Sequence, residues 1–280
     1  MTAMARGGRA RAANWTIWVA LLLVIPLMLI PVVWIFMQSI LKGGDALRIP
    51  PVWVTAHPTT HNYSQVFSYI PFLTFLANSV KITAIVTASA LVTSALAAYA
   101  FARLRFPGRD VLFIVFLAAL MVPNQVTAAP TYILMHHLHL ATSQAAVWLP
   151  GMVNVFGIFL LRQFFRGIPR ELEDAARVDG LSTLGILFRI VIPLSRPALA
   201  ALTILIGATT WNDYFWPSIY LTNRSQMTLP VGLVSLQGQY KQGSPVVMFA
   251  AISMAVVPLL LVFLFVQRSI TASLAMTGFK

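Results

Sequence analysis

Of the chain's seven acidic side chains, four fall in the single stretch Arg166–Pro197: Glu171, Glu173, Asp174 and Asp179. Acids crowded onto one short segment suit docking to a protein partner with a complementary groove, but no two of them stand out as the facing acid and base that catalysis needs. A fifth acid, Asp213, stands among Trp211, Asn212, Tyr214, Phe215 and Trp216 inside an apolar run. An ionisable group at that depth points to a translocation path by default, with Trp211, Asn212, Asp213 and Tyr214 as its candidate lining. The other reading of the same residues is an interfacial aromatic belt in which Asn212 and Asp213 satisfy backbone groups freed by Pro217. His136, His137 and His139 have a spacing that can hold metal, yet no Cys, Asp or Glu lies near them in sequence, so a polar outer loop is the expectation and no metal site is assigned. The chain has no cysteine, which excludes disulfides, thiolate metal sites and a cysteine nucleophile. No Ser–His–Asp set stands out. No G-x-x-x-x-G-K-[ST] phosphate loop is present, so ATP chemistry would have to come from another polypeptide.

The elements that must position these residues are membrane helices. The sequence is 59% hydrophobic and only 9% charged, against about a quarter charged in a soluble domain. Six apolar runs are long enough to cross a bilayer: Trp15–Ile40, Phe72–Ala102, Val111–Met135, Ala145–Phe165, Ala198–Leu221 and Val246–Val266. The first follows Arg6, Arg9 and Arg11 but is too long for a signal-peptide core, and it reads as an uncleaved span. A net charge of +12 could suggest nucleic acid, but the basic residues sit in short patches between apolar runs, as orienting loop charges do. They divide 14 to 5 between alternate sides, which puts both termini in the cytoplasm. In the second span Ala90, Ser94, Ala98 and Ala102 recur every fourth residue, a spacing that lets helix backbones approach closely, either within the subunit or across an interface.

The acidic segment has its own local logic. Pro169 suits a helix start, with Glu171 and Glu173 in the first turn complementing the helix dipole. Leu172, Ala175 and Ala176 share a narrow face. Gly180 suits a helix end, and Ser182 or Thr183 can cap the next helix. Leu184, Leu187, Phe188 and Val191 form an apolar stripe, and Pro193 ends it. The expectation is two short helices, a charged tip on an apolar base. An amphipathic helix lying on lipid would favour Lys and Arg on its polar face. The acid-rich tip fits a groove on another protein better.

This stretch resembles the EAA loop of binding-protein-dependent ABC importer permeases. The family pattern E-A-A, three residues, Gly, nine residues, I-x-L-P is matched by Asp174-Ala175-Ala176, Gly180 and Ile190-Val191-Ile192-Pro193, with Asp174 in place of Glu and Ile192 in place of Leu. The stretches Asn78–Gly108, Trp211–Pro217, Leu229–Leu233 and the tail from Gln267 to Lys280 resemble the MalG-type carbohydrate branch. The resemblance implies an all-α polytopic inner-membrane protein with the type I ABC importer permease fold. It implies a basic tail over 1–14, a first span and outer loop over 15–71, a transmembrane domain over 72–267 carrying the loop at 166–197, and a tail over 268–280. It also implies a second homologous permease, two ATP-binding subunits that hold ATP and Mg, and an extracytoplasmic solute-binding protein that delivers a sugar or sugar-like solute; the polar outer segment Thr222–Pro245 is the expected contact for that protein. Glu173, Asp174, Ala175, Ala176, Asp179, Gly180, Ile190 and Pro193 would couple this chain to the ATPase. The competing class is an ion-coupled secondary transporter, which would show midplane ionisable relays and often internal repeats; one deep acid and no clear repeat speak against it. A membrane enzyme would need facing acid, base or metal groups, and a channel a filter or ring motif.

Overall fold

A computed structural model describes the backbone of residues 2–46, 48–239 and 245–277, and side chains within those ranges other than at 2–17, 20, 238–239 and 266–277. Lys241, Lys280 and the rest of the final Gly278–Lys280 motif lie outside the described residues, as do the side chains of Arg6, Arg9, Arg11 and Arg268. In chain order the helices are α1 (Thr2–Ser39), α2 (His61–Tyr69), α3 (Phe72–Arg103), α4 (Arg109–Ala119), α5 (Ala128–His137), α6 (Ala145–Gly151), α7 (Val155–Arg166), α8 (Arg170–Val178), α9 (Thr183–Ile186), a π turn (Leu187–Val191), α10 (Ile192–Leu194), α11 (Arg196–Trp211), α12 (Phe215–Tyr220), α13 (Leu229–Gln239) and α14 (Pro245–Thr277). The chain divides into two units, Met1–Ile70 with Ser235–Val256 and Pro71–Val234 with Val257–Lys280.

In the first unit, Leu21–Ser39 is apolar enough to span, and its leucines with Val24 and Val33 stay exposed, as side chains facing lipid do. The end of α1 is tied down by side chains. Buried Asn62 donates to the carbonyls of Ser39 at 2.7 Å and Leu41 at 2.8 Å, satisfying acceptors that a helix end leaves open. The Tyr63 hydroxyl bonds Ser39 Oγ at 2.7 Å and Ser253 Oγ at 3.2 Å.

In the second unit, α3 is the central rod. Ala90, Ser94 and Ala98 are fully buried on it, and the close approach falls within the chain. A Cβ placed on Gly157 of α7 would sit 2.6 Å from Ser94 Oγ. Asn154 caps α7 by accepting from Gly157 N at 2.7 Å. Four described helices are long and apolar enough to span: Leu21–Ser39, Phe72–Arg103, Ala145–Arg166 and Pro245–Phe265. A fifth arises if the pair Thr183–Leu194 and Arg196–Tyr220, bent by 80°, counts as one.

The expected third span, Val111–Met135, is not one helix. It is α4 and α5, each about 15 Å long at 1.5 Å per residue, separated by turns over 120–127. Pro123 interrupts the hydrogen-bond ladder there, and the polar Asn124 and Gln125 follow it. The outer segment Thr222–Pro245 also differs from the expected polar loop: 229–239 are helical, Leu229, Val231 and Leu236 are buried, and residues 240–244 lie outside the described residues. A Cβ on Gly232 would lie 2.1 Å from the Phe75 ring, so a side chain there has no room.

Candidate functional site

The segment Arg166–Pro197 folds as two short helices, as its local signals require. Helix α8 ends in a Schellman motif: Gly180 has φ +80°, Gly180 N bonds Arg177 O at 3.0 Å, and Leu181 N bonds Ala176 O at 3.0 Å. Ser182 caps α9 by accepting from Gly185 N at 3.2 Å. Buried Ser195 closes the segment, bonding back to Val191 O at 2.7 Å where the chain turns into α11. The faces are not those of the simple helical stripes. On α8 the buried residues are Glu173 and Ala176, while Leu172 and Ala175 are exposed. Along α9 and the π turn, Ile186, Leu187 and Val191 are buried, Ile190 is half-buried, and Leu184 and Phe188 face out. The α-helical spacing carried through a π turn misplaces the stripe, because each π turn takes up an extra residue.

Glu173 departs most from its expected place. It is 2% exposed, with no surface to offer a partner. Its Oε1 lies 2.7 Å from Nε of Arg103 at the end of α3, an ionic contact rather than a straight hydrogen bond. The Tyr99 hydroxyl donates to Oε2 at 3.3 Å. Arg103 in turn donates to the carbonyls of Phe165, at 2.7 Å, and Ile168. These carbonyls belong to the end of α7 and the turn into α8, so one guanidinium joins α3, α7 and α8. What the tip presents outward is Asp174, Ala175, Val178, Asp179 and Gly180; Pro193 is half-buried at the base. Among the described residues Asp174 meets only Arg177, at 3.1 Å, and both are exposed.

Beside the loop, outside the spanning segments, Asp110 accepts from Arg109 at 3.1 Å, and that bond holds its carboxyl below the usual range. Arg162 reaches Asp110 at 3.6 Å and stacks 3.8 Å above the Phe113 ring.

The second candidate is a cleft of about 570 Å³ walled by α3, the 120–127 break, α6, α7, α11 and α12. Its polar lining is Asn124, Thr127, Thr131, Asn154, Thr209, Thr210, Asp213 and Trp216, and it continues past Gln125 and Phe215. Asp213 lies in the break between α11 and α12, where it accepts from the backbone N–H of Trp216 at 3.4 Å. Of the four residues proposed from sequence for a path, only Asp213 lines this cleft. Trp211 is buried and faces a separate apolar pocket with Thr203, Gly207 and Pro258. Asn212 bonds back to Ala208 O at 2.8 Å and Tyr214 is exposed. Asn124, Asn154, Thr209 and Thr210 were not singled out from sequence; polar residues beside Pro123 and just before Trp211 were the available signal. His136, His137 and His139 are all exposed, and among the described residues no three His, Cys, Asp or Glu converge as a metal site.

A helical bundle with a broken span, a polar internal cleft and an inter-span loop built around a buried ion pair defines a membrane transport subunit. Residues 90–275 match the family of binding-protein-dependent transport system inner membrane components, and the chain belongs to that family. It is an inner-membrane permease subunit of an ABC importer, not an enzyme. It is 34% identical over 242 residues to the arabinooligosaccharides transport system permease protein AraQ of Halalkalibacterium halodurans, covering 86% of this chain and 85% of that one. It is 30% identical over 259 residues to the sn-glycerol-3-phosphate transport system permease protein UgpE of Yersinia pestis, covering 89% and 92%. Among solved structures it resembles a bacterial ABC transporter involved in import of the acidic polysaccharide alginate, with a TM-score of 0.77, 27% identity and coverage of 96% and 98%.

Proposed function

We propose that this chain forms half of the pathway by which a sugar or sugar-like solute enters the cell, and that the exposed tip of its 166–197 loop is gripped by a separate ATPase. Two ATP-binding subunits supply ATP and Mg chemistry, a second permease completes the pathway, and an extracytoplasmic binding protein delivers solute to the outer side near 222–245. The carrying observation is the division of labour on α8. Asp174, Ala175, Val178 and Asp179 face outward, while Glu173, on the same helix, is buried against Arg103 of α3. A push on the tip is thereby delivered to a spanning helix through a short, charged, desolvated contact, and such contacts transmit displacement because they have few alternative geometries. The relatives' named solutes, arabino-oligosaccharides and glycerol 3-phosphate, support a small hydroxyl-rich cargo.

Gly180→Pro tests the coupling. Proline is held near φ −65°, whereas this position has φ +80°, so the turn that sets the angle between α8 and α9 cannot form. The expected result is a subunit still in the membrane and still assembled, in which ATP hydrolysis no longer drives uptake in proteoliposomes. Wild-type uptake by that variant would overturn the proposal.

A further inference from the structure

The cleft around Asp213 carries one formal charge, and it is negative. Its other polar lining residues are amides, threonines and Trp216, and among the described residues no Lys, Arg or His lines it or its extension. We infer that this cleft is a solute subsite of the chain itself, and that Asp213 makes it selective for neutral or amine-bearing sugars over phosphorylated or uronic ones. This deepens the importer reading and rests on it. The family resemblance leaves the charge class open, since arabino-oligosaccharides are neutral while glycerol 3-phosphate and alginate are acidic.

The chemistry follows from donor and acceptor supply. A carboxylate only accepts hydrogen bonds, at about four positions on two oxygens. The backbone N–H of Trp216 uses part of that capacity; the rest suits adjacent sugar hydroxyls or an ammonium group. An anionic solute needs the reverse: cations or convergent N–H donors. In a partly dehydrated cleft it would meet like-charge repulsion, which grows as the local dielectric falls. Trp216 supplies an aromatic surface beside the carboxylate, stacked at 6.2 Å and 8° on Tyr220, so its plane is fixed. Asn124, Gln125 and Thr210 add neutral hydrogen-bonding groups.

The bland alternative is that Asp213 merely caps α12. Asp213→Asn separates the two, because Asn caps a helix about as well as Asp but carries no charge. The experiment uses the complete transporter, with its partner permease, ATPase and binding protein, in proteoliposomes containing ATP on the ATPase side. An equimolar mixture of neutral, amino, phosphorylated and uronic mono- and oligosaccharides is supplied on the other side, and the lumen is read by mass spectrometry. The wild type is expected to accumulate neutral or amino sugars and exclude the acidic ones. With the same binding protein, Asp213→Asn is expected to accumulate them about tenfold more slowly, the scale of one charge-assisted hydrogen bond. Accumulation of phosphorylated or uronic sugars by the wild type overturns the inference, as does an Asp213→Asn transporter with wild-type rates; the importer reading survives either result. If nothing accumulates in an ATP-dependent manner, the importer reading itself fails and this inference with it.

Discussion

Glu173 and Asp213 are carboxylates placed by opposite means. Glu173 is buried with a cation at 2.7 Å and a tyrosine hydroxyl at 3.3 Å. Asp213 lines an open cleft with one backbone N–H bonded to it and neutral side chains around it. A buried carboxylate whose charge is neutralised can hold structure, because the pair resists separation. A carboxylate with unused acceptor capacity facing a cavity has work left to do with something that enters. Two helices join the regions. α3 carries Arg103 at one end and Val86 on the cleft wall. α11 begins at Arg196, in the last two residues of the loop, and presents Thr209 and Thr210 to the cleft. Motion imposed at the loop therefore has a short covalent and packed route to the cleft.

The harshest way to break the comparison is to leave Glu173 without its cation. Arg103→Ala strands a desolvated carboxylate and also releases the carbonyls of Phe165 and Ile168. Breaking a buried pair from one side costs about 3–5 kcal/mol, so the purified subunit is expected to lose thermal stability markedly or fail to accumulate in the membrane. The double variant Arg103→Met, Glu173→Leu removes both charges and is expected to recover much of that stability, since apolar replacements of a buried pair are often near neutral. Uptake by the double variant should stay low if the pair transmits force, and thermal melts beside transport assays read the two effects apart.

Next comes the seam between the regions. Gly157 of α7 meets Ser94 of α3, with no room for a Cβ between them. Gly157→Leu is expected to cost about 1–3 kcal/mol, the usual range for overpacking, and to lower the melting temperature while leaving the tip of α8 able to bind a partner. An unchanged melting temperature would mean that α3 and α7 can separate freely, and the packed route between loop and cleft would lose its footing.

How much of this was readable beforehand depends on whether the signal was local. The turn at Gly180, the cap at Ser182 and the stop near Pro193 are written in consecutive residues, and the helix bounds follow them. The spanning character of α3, of α6 together with α7, and of α14 is equally local, since it is set by run length and composition. The Glu173–Arg103 pair is not: its members are 70 positions apart, and nothing in the spacing of α8 marks Glu173 off from Glu171 or Asp174. Average hydropathy over Val111–Met135 likewise hides Pro123 and the two amides after it, which split the run into α4 and α5. Pro123 and Asn124 line the cleft and Gln125 its extension, so a single misjudged helix hid Asn124, Thr127 and Thr131, three of the cleft's eight polar lining residues. Asp213 was legible because a lone acid in an apolar run is conspicuous; its partners were not, because threonines in a membrane helix ordinarily bond their own backbone, as Thr209 does to Leu205 O at 2.9 Å.

The smallest structural effect is expected where the two carboxylate types meet a third, exposed one. Asp174 pairs with Arg177 at 3.1 Å in the i,i+3 position, and both side chains are more than half exposed. Such pairs contribute about 0.3–0.5 kcal/mol or less, so Asp174→Asn should leave the melting temperature of the subunit nearly unchanged. If the tip of α8 engages an ATPase, the same substitution should still weaken assembly, because an exposed charge gains value once a partner desolvates it. The weakening should be greatest at low ionic strength, where the wild-type charge contributes most, and should shrink as salt screens it. Pull-down of the ATPase by wild type and variant across a salt series measures this directly. Equal recovery at every salt concentration would show that Asp174 is solvated surface, and the docking face would then have to be sought among its apolar neighbours, Val178 at 88% exposure first among them.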